Sequence, residues 1–229
     1  MSRTLSSADA SSAEASSADA PAGAGGRRLP ADQRREQLLQ VALRQFGERG
    51  FRATTMDDVA EAAGVTKPLV YQHFRSKRDL YLELVDNVTK ELLAAVQGAA
   101  ARAEGPRQQV ELGLAAYFDM VVHHAAFQIL YDRDDADDPE VAAALRRVED
   151  AMAEAIDPLI AAGLEPEHRR MLAYALVGMA EGASRHWVES RIRRSEQGLP
   201  LPPAQEEAER LASRLADMAW AGLRSVHAD

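Results

Sequence analysis

Cysteine is absent from this chain of 229 residues, which excludes disulfides, iron–sulfur clusters, thiolate zinc sites and cysteine nucleophiles. Aromatic residues make up only 5%, and β-branched residues are few beside abundant Ala and Leu. That balance favours helix over strand. No run of about eighteen apolar residues is present to span a bilayer. Residues 1–26 are dominated by Ser, Ala, Asp and Gly and lack the apolar core of a secretory signal. They hold too little apolar surface to offset the entropy of ordering and read as a disordered tail. The expectation is a soluble, cytoplasmic protein associated with the nucleoid.

Charge is present but uneven. The formal net charge is −9, which argues against indiscriminate coating of nucleic acid. Residues 27–80 nevertheless carry eleven Lys/Arg against seven Asp/Glu, a net of +4, and the remainder carries −13. A basic head on an acidic body is the asymmetry expected when one end meets phosphate.

From Pro30 onward the apolar pattern has a helical period. Leu38, Leu39, Ala42, Leu43 and Phe46 share one face, ended by Gly50. Thr55 is placed to cap a second short helix over 56–63, which Gly64 breaks. Thr66 is placed to cap a third that runs to about 74, with Pro68 tolerated in its first turn. Ser76 and Asp79 resemble a capping box that opens a long fourth helix over about 77–103. Further helices are predicted over 107–124, 126–132, from Pro139 with Asp138 as N-cap, from Glu165-Pro166 to about 192, and over 204–226. Asp157-Pro158 should break the helix that begins at Pro139. No alternating run demands a strand, so the predicted fold class is all-α.

Two short helices joined by a Gly-containing turn behind a longer support helix describe a helix-turn-helix, whose second short helix enters the major groove. Leu69, Val70 and Phe74 are the expected packing residues of that helix. Thr66, Lys67, Tyr71, Gln72 and His73 are left facing outward with hydrogen-bonding groups. Thr55 and Lys77, at two helix starts, are placed to hold phosphates. Arg27 and Arg28 form a basic pair that either reaches the minor groove as an arm or is simply solvated.

The run Phe46-Gly47-Glu48-Arg49-Gly50-Phe51, then Thr54-Thr55-Met56-Asp57-Asp58-Val59-Ala60, Ala63-Gly64-Val65, Tyr71-Gln72-His73-Phe74, Lys77 and Leu80 resembles the DNA-binding signature of the TetR family. The resemblance covers about residues 34–82. It implies a homodimer on double-stranded operator DNA, with a head at 27–76 and a helical ligand-binding and dimerisation domain at 77–229. It also implies phosphate contacts at Thr55, Tyr71, His73 and Lys77, and base or adjacent phosphate contacts at Thr66, Lys67 and Gln72. Pro68 departs from the pattern, since many members carry a hydrogen-bond donor there.

Such domains hold apolar pockets between helices. The candidate lining residues are Tyr117, Met120, Val121, His124, Phe127, Leu130 and Tyr131, with Met152, Ile156, Met179 and Trp187 from later helices; taken singly each reads as plain core, and it is the family resemblance that implies a pocket. Phe118 and Tyr174 lie on the same helices and are further candidates. Small residues at Ala175, Gly178 and Gly182, beside Met171, Leu211, Leu215 and Met218, suggest a symmetric four-helix dimer interface. Segments such as Asp138-Pro139-Glu140-Val141-Ala142-Ala143 and Leu176-Val177-Gly178-Met179 resemble an actinobacterial subgroup that regulates fatty-acid synthesis in response to long-chain acyl-CoA. That resemblance implies a small hydrophobic effector and no resident cofactor or metal. A repressor of an efflux or catabolic operon that answers a hydrophobic drug or metabolite fits the same pattern, and a helical adaptor without DNA binding stands outside the family.

Enzymatic readings find little footing. Glu165 and His168 make a single Glu-x-x-His where a di-iron bundle needs two. Adjacent His123 and His124 cannot present both rings on one helical face. The acidic loop over 132–138 lacks the Gly and distal Glu of a calcium loop.

Overall fold

The computed structural model describes residues 30–123, 138–160 and 163–224. Residues 1–26, Arg27, Arg28, the helix predicted over 126–132, and the candidates His124, Phe127, Leu130 and Tyr131 lie outside them. Among the described residues the fold is all-α, as expected. Eight helices follow in order: α1 (Ala31–Ala53), α2 (Met56–Ala62), α3 (Lys67–His73), α4 (Lys77–Ala100), α5 (Pro106–His123), α6 (Pro139–Ile156), α7 (Pro166–Glu196) and α8 (Ala204–Leu223). A single 3₁₀ turn, Asp157–Leu159, breaks the chain after α6, where Asp157-Pro158 predicts it.

The helix boundaries have local causes. Gly50 takes φ 77° inside α1, a left-handed conformation that stops the main rod; one further turn follows. Gly64 takes φ 65°. Its N–H reaches the Glu61 carbonyl at 3.0 Å while that of Val65 reaches Ala60 at 2.9 Å, so the last carbonyls of α2 are satisfied by a Schellman motif. Asp138 caps α6 by accepting from the amides of Glu140 and Val141.

Two expected caps differ in detail. Thr66 occupies the N-cap of α3, but its side chain makes no capping bond. Ser76 accepts from the Asp79 amide at 3.0 Å; the Asp79 carboxylate returns to the Arg75 amide instead of that of Ser76. The box is therefore offset by one residue.

Helices α1, α2 and α3 pack into a head around Leu38, Ala42, Phe46, Val59, Val70 and Phe74, all essentially buried. Helix α4 leaves the head and enters a bundle with α5, α6, α7 and α8. Phe46, Phe51 and Tyr81 form an aromatic cluster at the junction, with Phe51 and Tyr81 centroids 4.7 Å apart. Arg35 of α1 also pairs with Glu83 of α4 at 2.6 Å, so the head is seated on the first turns of α4.

Candidate nucleic-acid interface and effector cavity

Helix α3 has only seven residues, too short to persist alone in water. Buried Val70 and Phe74 and partly buried Leu69 hold it to the head. This one-sided anchoring turns the opposite face outward. Thr66, Lys67, Tyr71 and Gln72 are exposed, and His73 is partly buried. Tyr71 is 45% exposed, an aromatic ring left on a polar surface.

Thr55 begins α2 in a full capping box. Its hydroxyl accepts from the Asp58 amide at 3.2 Å, and Asp58 accepts from the Thr55 amide at 2.8 Å. The Thr55 side-chain hydrogen bond, then its amide, hold the Asp58 carboxyl below the usual range, with help from Arg49. Thr55 itself stays exposed beside α3.

Two expected phosphate or base contacts already have partners. The Lys67 ammonium meets Asp57 at 2.7 Å, and that hydrogen bond and charge raise its pKa. The Lys77 ammonium donates to the carbonyls of Phe51 at 2.7 Å and Arg52 at 3.3 Å and lies 4.3 Å from the Phe51 ring centroid. It caps the end of α1, so the structure gives its side chain a folding task that the motif did not reveal.

Sequence reasoning also missed Thr54. It is fully buried and donates to the Gly50 carbonyl at 2.8 Å, with the Gln45 carbonyl 3.1 Å away. A buried hydroxyl placed there satisfies carbonyls that α1 leaves open, and neighbouring Thr55 drew the attention.

A cavity lies in the bundle between α4, α5, α6 and α7, with a volume of about 130 Å³. Helix α4 contributes Leu92, Val96 and Ala100, recurring at spacing four. Along α5 the wall runs from Pro106 to Tyr117, and along α6 from Leu145 to Ile156. Eleven residues of helix rise about 16 Å, so the cavity is elongated. Of the candidates, Tyr117, Met152 and Ile156 lie on its wall. Met120, Val121, Met179 and Trp187 pack in or against the surrounding core and are not on the wall; helix rotation turns them toward other neighbours. Phe118 is likewise core, and the Tyr174 hydroxyl donates to Asp150 at 2.5 Å. Polar wall residues are Gln109, Tyr117, Glu149 and Glu181. The Tyr117 hydroxyl shares a 3.1 Å hydrogen bond with buried Ser184.

Head and cavity are mechanically joined. Arg78, in the first turn of α4, meets Asp138 at 2.6 Å and Glu140 at 3.6 Å. Burial pushes the Asp138 carboxyl up, but Arg78 and the two amide donors outweigh it and hold it below the usual range. Helix α6 is thus pinned at its start to the base of the head and continues into the cavity wall.

On the outer side of α7, Met171, Ala175 and Gly178 are exposed and Gly182 is partly buried. A Cβ built on Gly178 or Gly182 would meet only open space. Met218 of α8 is exposed and Leu211 partly buried. Leu215 is a correction: it is 9% exposed and packs into its own protomer, because α8 turns that position toward the bundle. No group of three or more His, Asp or Glu side chains among the described residues is placed to hold a metal ion, and no described helix is long and apolar enough to cross a membrane.

Comparison with known proteins bears on both halves. A family model described as bacterial regulatory proteins, tetR family, matches residues 38–84. A second, a tetracyclin repressor-like C-terminal domain, matches residues 106–222. The HTH-type transcriptional activator FasR of Mycolicibacterium smegmatis is 36% identical over 175 residues, 74% of this chain and 80% of that protein. The HTH-type transcriptional repressor KstR2 of Mycobacterium tuberculosis is 33% identical over 100 residues, 44% of this chain and 50% of the relative. Among solved structures, a TetR-like transcriptional regulator from Rhodococcus sp. RHA1 aligns with TM-score 0.66 at 25% identity, covering 87% of this chain and all of the other. FadR from Bacillus subtilis in complex with stearoyl-CoA aligns with TM-score 0.67 at 14% identity, covering 82% and 98%; at that identity the likeness is one of fold.

Proposed function

The chain belongs to the TetR family of bacterial regulatory proteins, and from that premise we propose that its effector is a long-chain acyl-CoA or a closely similar amphipath, and that the genes it controls serve lipid metabolism. It is a DNA-binding transcription regulator, a homodimer on a palindromic operator that responds to a small molecule, and not an enzyme. The effector class rests on one observation above others: an apolar cavity elongated along four helices. FasR and the stearoyl-CoA-bound FadR, as relative and fold neighbour, support the reading.

In this reading the exposed face of α3, with Thr66, Lys67, Tyr71, Gln72 and His73, enters the major groove. Thr55 and the amides at the start of α2 meet the phosphate backbone, and Lys77 acts by holding the head to α4. The partner's copy docks on the face of Met171, Ala175, Gly178, Gly182, Leu211 and Met218. The protein works in the cytoplasm on the nucleoid.

The cavity of about 130 Å³ is close to the roughly 150 Å³ void that accommodates a benzene ring. A long acyl chain therefore requires the bundle to open. Opening displaces α6, which Arg78 ties to the base of the head, and head spacing changes with it. Typical coupling of this kind is ~1–3 kcal/mol, equal in both directions.

Native mass spectrometry of the purified protein, combined with DNA release by palmitoyl-CoA, tests the effector class. Retained or DNA-releasing acyl thioesters support it. A response only to aromatic drugs, with none to thioesters, refutes it in favour of an efflux or catabolic regulator.

A further inference from the structure

The head carries a carboxylate where a surface that meets DNA has least use for one. Asp57 lies in the first turn of α2, and its side chain is 64% exposed. In a docked head such an anion repels the phosphate backbone. Neighbouring Asp58 has a role inside the helix, closing the capping box with Thr55. Asp57 takes no part in that box. An acidic residue in the first turn does suit the helix dipole, but Asp58 already supplies one in the same turn.

Asp57 reaches instead across the turn to the recognition helix. Its carboxylate accepts from the Lys67 ammonium at 2.7 Å, over an interval of 10 residues. Lys67 is the first residue of α3, and the N-terminal residues of a recognition helix are the ones that meet base edges. Pro68 beside it offers no side-chain donor. The Lys67 side chain is itself half-exposed. An ammonium has three N–H donors, so one spent on Asp57 leaves two for DNA.

The carboxylate then decides between two kinds of acceptor. A phosphate oxygen on the same ammonium brings a second anion within about 5 Å of Asp57, and their repulsion offsets part of the new contact. A lysine that leaves Asp57 for the phosphate strands the carboxylate beside the backbone. Guanine O6 and N7 are neutral acceptors, side by side in the major groove. They can take the two remaining donors while the ion pair stays made.

We propose that Asp57 is a specificity determinant of DNA recognition, holding the Lys67 ammonium for a guanine edge and against phosphate. It is a positioning residue and touches no base itself. The role presupposes that α3 enters the major groove, the docking given above, and adds to it the choice of acceptor.

The test is a double-mutant cycle in the full chain. Wild type, Asp57→Asn, Lys67→Met and the double variant are titrated by fluorescence anisotropy over a range of salt. One duplex is the site that the wild type selects from a random pool, and the other is a scrambled sequence of the same composition. Asp57→Asn frees Lys67 for phosphate, so affinity for the scrambled duplex should rise roughly 5-fold over the two heads of a dimer. The salt slope on that duplex should steepen by about one per head. Affinity for the selected duplex should change less, so the ratio between the two falls. Selection repeated with Asp57→Asn should lose a guanine preference that the wild type shows in each half-site. Asp57→Glu, which keeps the carboxylate, should retain both the ratio and the preference.

No gain on the scrambled duplex, or an equal gain on both, overturns the inference. The same gain in the Lys67→Met background overturns it too, because Asp57 would then be a plain repulsive charge. A wild-type site without a guanine preference has the same consequence. Tyr71→Ala checks the docking separately: if it leaves affinity for the selected duplex unchanged, α3 does not enter the groove, and that reading falls with the inference.

Discussion

Removing the ring of Phe74 separates anchoring from DNA contact on the recognition helix. The ring is fully buried and carries the Arg35 guanidinium 4.4 Å from its centroid, while the Phe74 backbone N–H, which the substitution keeps, closes α3 on the Val70 carbonyl at 3.0 Å. Phe74→Ala should cost ~3–5 kcal/mol, while the whole native state is worth roughly 5–15. Suppose local opening of α3 costs about 5 kcal/mol in the wild type. Losing about 4 of these leaves about 1, so that roughly one molecule in six has α3 undocked. Apparent affinity scales with the competent fraction, so DNA binding should weaken less than ~2-fold. Hydrogen exchange of the α3 amides should meanwhile accelerate about a thousandfold, since ~1.4 kcal/mol is a factor of ten. The assay pairs native-state exchange with binding to a duplex that the protein itself selects from a random pool. A hundredfold loss of affinity with α3 protection intact would refute the reasoning, because Phe74 would then be touching DNA.

Tyr71→Ala and Lys67→Met should both weaken DNA binding, and the Lys67 change should lower the slope of log affinity against log salt by about one if that ammonium leaves Asp57 for a phosphate; an unchanged slope puts it on a base edge or on Asp57. Arg78→Glu sets a carboxylate against Asp138 and Glu140, and the effector's fold-effect on DNA affinity should collapse toward one, as read by fluorescence anisotropy with and without palmitoyl-CoA. Met218→Arg should convert the dimer to monomer in sedimentation velocity; retention of the dimer would place the interface elsewhere. The Asp58 carboxyl lies below its usual value of 3.8 in the folded protein, so its contribution is present above that value and fades as pH falls through the lower folded value. Thr55→Ala should flatten that acid-side loss of thermal stability.

What the sequence determined by itself was local. Stops at Gly50 and Gly64, starts at Thr55 and Asp138 and the break at Asp157-Pro158 arise from interactions within about four residues of the chain, which a linear string displays directly. The outward face of α3 was legible too, because buried Val70 and Phe74 leave a seven-residue helix only one way to lie. The tertiary structure decided everything that depends on how one helix is rotated against another. An apolar stripe is about 100° wide, so a helical pattern tells which positions are inside without telling what they meet. Tyr117 and Met152 therefore reach the cavity while Met120 and Met179 do not, and Leu215 turns inward although Met218 stays out. The Lys77 ammonium finds carbonyls more than two dozen residues back, Arg78 finds Asp138 across an interval of 60, and the Tyr117 hydroxyl finds Ser184 across one of 67. Contacts of that range are set by helix crossings, and no local propensity encodes a crossing.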